Sequence, residues 1–137
     1  MDNFFILFND IQNKIADLFN ESTSKLDCIS KEEKNYLNII YKLKMTTLSK
    51  FAEIAEVTKP AATQIINKFI NKGYVTKTVS EEDKRVCNIE LTEQIKKMFM
   101  ETYKKINQIC NECLSYLTKE EYELFNSLLL KINENLT

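Results

Sequence analysis

The sequence predicts a mainly α fold with one small two-stranded β-hairpin, and three observations lead there. Only one glycine and one proline occur in 137 residues, so the chain has few places to turn sharply and long helices are favoured. Apolar residues recur at three- and four-residue steps along most of its length, the spacing of a helix that buries one face. After Gly73 the period changes to alternation in two short stretches, which is the period of a strand. With 44% hydrophobic and 28% charged residues, a single domain of ordinary soluble composition is expected.

The first helix is expected over Asn3–Asn20, with Phe4, Leu7, Phe8, Ile11, Ile15, Leu18 and Phe19 along one stripe. The polar stretch Glu21 to Asp27 closes it. Ser30 and Glu33 have the spacing of a capping box, opening a second helix to about Leu43 with Tyr36, Leu37, Ile40 and Tyr41 inward. Lys44-Met45-Thr46 reads as a link, after which Thr47 caps a third helix over Leu48–Glu56, with Leu48, Phe51, Ala52 and Ala55 inward. Thr58 caps a fourth, and Pro60 lies in its first turn, where a missing N–H costs nothing. Ala62, Ile65, Ile66, Phe69 and Ile70 form its apolar face, and Gly73 ends it in the left-handed conformation.

Val75, then Cys87, Ile89 and Leu91, read as the inward residues of two strands joined by the polar turn Ser80 to Lys84. Thr92 opens a long helix to about Tyr116, carrying Ile95, Phe99, Ile106, Ile109, Cys113 and Leu117. Thr118 and Glu121 make a second capping box, before a last helix with Tyr122, Phe125, Leu128, Leu129, Ile132 and Leu136 inward.

Composition narrows the function classes. Histidine and tryptophan are absent, which removes the commonest general base and the commonest metal ligand. With no nucleophile–base pair and no glycine-rich phosphate loop, an enzyme is not expected, nor is a cofactor or a metal. The longest apolar run, Phe4 to Phe8, is too short to span a bilayer and has Asp2 before it, so no membrane association is expected and the cytoplasm is the expected location. The net charge of −1 hides an asymmetry: Lys42 to Arg85 holds nine Lys/Arg against five Asp/Glu, a net +4, leaving −5 elsewhere. That is the pattern of a basic working face on an acidic body.

Two short helices joined by a tight turn, a third amphipathic helix and a hairpin form the layout of a winged helix-turn-helix. The outer face of the helix after Thr58 offers Lys59, Ala61, Thr63, Gln64, Asn67 and Lys68 to a major groove. Gln and Asn hydrogen-bond adenine in bidentate fashion, while Ala and the Thr methyl suit the thymine methyl. Lys59, Lys68 and Lys72 are expected on phosphates. In the wing, Arg85 is the chain's only arginine, flanked by Asp83 and Lys84 and opposite Lys77, and arginine in a narrow minor groove reads A·T-rich shape.

Thr58-Lys59-Pro60-Ala61-Ala62-Thr63-Gln64-Ile65-Ile66, then Gly73-Tyr74-Val75, the wing Ser80-Glu81-Glu82-Asp83-Lys84-Arg85 and Leu91-Thr92-Glu93 together resemble the MarR family of bacterial regulators. The resemblance covers nearly the whole chain. It implies a single domain over 1–137, with residues 1–29 and 93–137 forming long dimerisation helices around a winged helix DNA-binding lobe at 30–92. It also implies that Arg85 enters the minor groove with Asp83 orienting it, and that the helix after Thr58 reads the major groove. The chain departs from the family pattern at Ala61, Gln64, Glu81 and Ile95, so base preference does not carry over, and Glu81 stands where a wing proline is usual.

The expected function is therefore a sequence-specific regulator of transcription: a homodimer on double-stranded DNA, repressing at an inverted-repeat operator and released by a small-molecule or redox signal. The end helices carry more apolar surface than a lone thin helix hides, which independently favours pairing with a second copy. The alternative is a winged helix that binds a protein partner in place of DNA. Some relatives bind small aromatic acids between dimerisation helices and lobe, so Tyr36, Tyr41, Met98 and Tyr103 are candidates for an aromatic effector cleft, although the same spacing also suits core packing. Cys110 and Cys113 lie on or beside an apolar stripe and read first as structural thiols, with redox sensing or metal binding as alternatives. Cys28, in a polar loop, is the better candidate for an oxidisable thiol, and Cys87 is expected in the core.

Overall fold

The structure is a computed structural model that describes residues 2–20 and 28–136. Among the described residues, six helices and three strands follow in the order α1 (Asp2–Asn20), α2 (Lys31–Leu43), β1 (Thr46–Thr47), α3 (Leu48–Ala55), α4 (Lys59–Asn71), β2 (Val75–Val79), β3 (Cys87–Leu91), α5 (Glu93–Leu114) and α6 (Lys119–Asn135). They fall into two compact units, one of residues 23–102 and one of residues 1–22 with 103–137.

Among the described residues, every buried apolar side chain lies in the first unit. Leu37 and Ile40 of α2, Phe51 of α3, Ala62, Ile66 and Phe69 of α4, Ile89 and Leu91 of β3 and Ile95 and Phe99 of α5 make up most of its core. Helix α2 packs on α3 and β3, and α4 packs on α3 and β2. The helix starts follow local chemistry. Ser30 Oγ accepts from Glu33 N at 3.2 Å, Thr47 Oγ1 accepts from Lys50 N at 3.2 Å, and Thr118 Oγ1 accepts from Glu121 N at 3.2 Å. Each satisfies an amide that the helix itself leaves without a partner.

The sheet has three antiparallel strands in the order β1-β3-β2, one more than the hairpin read from the sequence. Thr46 and Thr47, expected as link and cap, pair with Ile89 and Asn88. Two residues are too few to show an alternating pattern, although threonine is a good strand former. The hairpin itself runs from Val75 opposite Leu91 to Val79 opposite Cys87.

Gly73 has φ +73°, the left-handed value expected of it, and two other turns reach positive φ without glycine: Lys44 at 63° and Glu56 at 56°. At Lys44, with ψ −52°, Met45 N donates to Leu43 O at 2.7 Å. This is a γ-turn of the strained hand, the turn that carries the chain from α2 into β1.

In the second unit α6 buries no residue. It exposes Tyr122, Leu124, Phe125, Leu128, Leu129, Leu130 and Ile132, while α1 exposes Phe4, Phe5, Ile6, Leu7, Phe8, Ile11 and Leu18. No described helix is long and apolar enough to cross a membrane.

Candidate nucleic-acid interface

Helix α4 is pinned from within and presented outward. Thr58 Oγ1 accepts from Ala61 N at 3.2 Å, Pro60 sits in the first turn, and Ala62, Ile66 and Phe69 anchor the inner face in the core. The face left outside carries Lys59, Thr63, Gln64, Asn67 and Lys68, with Ala61 half-buried. Asn71, also exposed, falls on the same face as Gln64 and Asn67; helical spacing from Gln64 identifies it, and the sequence reading passed it over. The Thr63 hydroxyl donates to Lys59 O at 2.9 Å, which commits it to the helix's own backbone.

The wing closes on itself before it offers a side chain. Ser80 N donates to Val86 O at 2.9 Å and Val86 N to Asp83 O at 2.9 Å. Asp83 Oδ1 then accepts twice from Arg85, from its backbone N at 3.0 Å and from its Nε at 3.2 Å. The Arg85 side chain is nevertheless 91% exposed. A long cation is thus held by its base at Nε while the rest of its guanidinium faces solvent. Lys77 and Lys84 are exposed nearby on strand and turn. Among the described residues, Lys59, Lys77 and Lys84 make no ion pair.

Lys68 and Lys72 are held differently. Both reach the same carboxylate oxygen, Glu33 Oε1, at 3.0 Å and 2.6 Å. The other oxygen, Oε2, accepts from Ser30 N at 3.3 Å, completing the capping box of α2. The Glu33 side chain is only 10% exposed. The hydrogen bonds from Lys72 and then Lys68 lower its pKa to about 2, against the opposing effect of burial. Lys72 is raised in turn, first by its hydrogen bond with Glu33, and its ammonium lies 5.6 Å from the centre of the Tyr74 ring.

The candidate effector residues face different hollows. Tyr36 packs edge-on against Phe51 and lines a space of about 160 Å³ beside Glu33 and Lys68. Tyr41 stacks on Phe99 at 5.3 Å and borders a groove of about 510 Å³ with Lys42, Lys44, Met45, Lys96 and Met100. Met98 borders another of about 490 Å³ with Cys28, Gly73 and Gln94. Tyr103 belongs to the other unit.

None of the four cysteines is in a disulfide, and Cys28, Cys110 and Cys113 are exposed. Two expectations are corrected. Cys113 does not continue the inward stripe of α5, where Leu114 is half-buried instead, and Cys87 is half-buried because it stands at the wing end of β3, two residues beyond buried Ile89. No group of three or more candidate metal ligands occurs among the described residues.

Helix-turn-helix, capped outer helix and β-wing define the class: a winged helix-turn-helix protein. The MarR family model matches residues 29–87, the stretch from the start of α2 into β3. Among curated proteins, the chain is similar to the uncharacterized HTH-type transcriptional regulator YwaE of Bacillus subtilis, 25% identical over 87 residues. That match covers 64% of this chain and 51% of the relative, so it spans about half the length of that protein. Among solved structures, MepR of S. aureus bound to ethidium bromide superposes with a TM-score of 0.80 at 21% identity, covering 98% of this chain and 96% of the other. A MarR mutant from E. coli complexed with operator DNA gives 0.55 at 24% identity, covering 95% and 93%. Over the helix-turn-helix and wing, the chain is thus similar to the MarR family, and the curated protein it matches is named as an HTH-type transcriptional regulator.

Proposed function

We propose that this chain regulates transcription by binding double-stranded DNA as a homodimer, repressing at an inverted-repeat operator until a small molecule or an oxidant releases it. The observation that carries the DNA reading is Arg85: 91% exposed, yet its Nε is fixed by Asp83 at the tip of a closed hairpin. An arginine oriented this way suits a narrow minor groove, where the potential is most negative. The capped helix α4 supplies the major-groove element, with Gln64, Asn67 and Asn71 as base-reading amides and Lys59 for a phosphate. The E. coli relative complexed with operator DNA supports the same reading.

The homodimer rests on the apolar surface of α1 and α6, two helices with little or nothing buried in the single chain. A two-fold axis would space the two α4 helices by about one DNA turn, roughly 34 Å. The effector is proposed as a small aromatic compound, which the S. aureus relative bound to ethidium bromide supports. Exposed Cys28, Cys110 and Cys113 leave a thiol input as the second form of signal.

The test is fluorescence anisotropy with promoter fragments from around the protein's own gene, at two salt concentrations, comparing wild type with Arg85→Ala. Tight binding that weakens with salt and weakens further in the variant is the expected result. No binding at low salt by a folded dimer would overturn it and point to a protein partner instead.

A further inference from the structure

Lys68 and Lys72 sit one turn apart at the C-terminal end of α4 and converge on one carboxylate 35 and 39 residues earlier in the chain. Glu33 is the third helical residue of α2 and already serves that helix through Ser30. One buried carboxylate therefore joins the start of α2 to the end of the outer helix. The Tyr74 ring lies 5.6 Å from the Lys72 ammonium. The groups that bind the Glu33 carboxylate are the backbone N–H of Ser30, the cap of its own helix, and the ammonium groups of Lys68 and Lys72 from the end of α4.

Resting on the DNA-binding reading above, we propose that Glu33 is a positioning residue for DNA recognition. It tethers the C-terminal turn of α4 through Lys68 and Lys72, so that these lysines fix the angle of the reading helix and do not serve as phosphate ligands. A phosphate and the Glu33 carboxylate offer a lysine the same kind of acceptor. Glu33 has the advantage of being permanently in place and shielded, with ammonium-to-carboxylate distances of 2.6 Å to Lys72 and 3.0 Å to Lys68. The amides of Gln64, Asn67 and Asn71 then approach base edges from a helix held at both ends, by Thr58 at one and by Glu33 at the other.

The two roles of a lysine separate in the salt dependence of binding. Each phosphate-bound lysine adds about 0.9 to the slope of log affinity against log salt. On the tether reading, Lys68→Met and Lys72→Met leave the wild-type slope unchanged and reduce the ratio of operator to random-DNA affinity. Glu33→Gln keeps a hydrogen-bond acceptor for Ser30 N, and a glutamine satisfies a capping box. It releases two ammonium groups, so the slope steepens by about one unit for each lysine that finds a phosphate, again with a lower specificity ratio. The measurement is anisotropy across 50–300 mM salt on operator and random duplexes, with circular dichroism to confirm folding. A slope about one unit shallower per half-site in Lys68→Met, with wild type still binding, overturns the tether alone. Failure of wild type to bind any duplex overturns the DNA reading and the tether with it. Should Glu33→Gln not fold, the two lysine variants decide the question.

Discussion

Glu33 also makes the stability of this protein pH-dependent in a calculable way. Its pKa in the folded chain is about 2, against an ordinary value of 4.5. A carboxylate with a depressed pKa stabilises the fold fully above the unfolded value, and that stability disappears as the pH falls through the folded value. The window is therefore about pH 4.5 down to 2. A shift of roughly 2.5 units at about 1.4 kcal/mol each sets a ceiling near 3.5 kcal/mol. The lysine ends of the pairs are 59% and 39% exposed, so solvent screening brings the expected contribution down to about 1–2 kcal/mol. Urea unfolding of wild type and Glu33→Gln, followed by circular dichroism at pH 7, 4 and 2.5 and one protein concentration, measures it directly. The variant should be weaker by about 1–2 kcal/mol at pH 7, and the gap should close toward pH 2.5 as wild-type Glu33 takes up a proton. Parallel curves, with the same gap at every pH, would refute the argument, because a loss that ignores protonation comes from packing and not from the ion pairs.

Other perturbations test other parts of the frame. Phe51→Ala should cost about 3–5 kcal/mol, enough to unfold the lobe near room temperature, because the ring is fully buried and packs against Tyr36; thermal melting would show it. Thr58→Ala removes the acceptor for Ala61 N and should lower stability by about 1 kcal/mol, with a further loss in operator affinity if α4 is the reading helix. Lys44→Gly should raise the melting temperature: relief of a positive-φ turn is worth about 1–3 kcal/mol, more than the roughly 1 kcal/mol of extra chain entropy that glycine adds to the unfolded state. On the proposed homodimer, Phe125→Lys with Leu128→Lys, both on exposed α6, should halve the mass seen by light scattering; an unchanged mass would remove α6 from the proposed interface.

How much of this was legible in the sequence depended on how far each interaction reaches along the chain. Helix starts depend on residues three apart, so Ser30 with Glu33, Thr58 with Ala61 and Thr118 with Glu121 could be read without any fold in hand. The wing clasp between Asp83 and Arg85, two residues apart, was expected from the family resemblance, and Asp83 does accept from Arg85 Nε. Strand β1 escaped because its only support is Ile89 and Asn88, more than forty residues away, and two threonines carry no period. The second role of Glu33 escaped for a sharper reason. Its spacing from Ser30 already explained it, and a residue with one sufficient local explanation gives no signal that it has another. The pairing of Lys68 and Lys72 escaped in the mirror-image way: at the end of an outward-facing helix, lysines look free unless the partner is known. The acid that holds them lies on another helix, and only packing α2 against α4 brings it within 3 Å. Formal charge counts miss the same pairing, since two of the nine cations between Lys42 and Arg85 are met by an acid outside that window. On the tether proposal, the basic face available to DNA is correspondingly smaller and shifts toward Lys59, Lys77, Lys84 and Arg85.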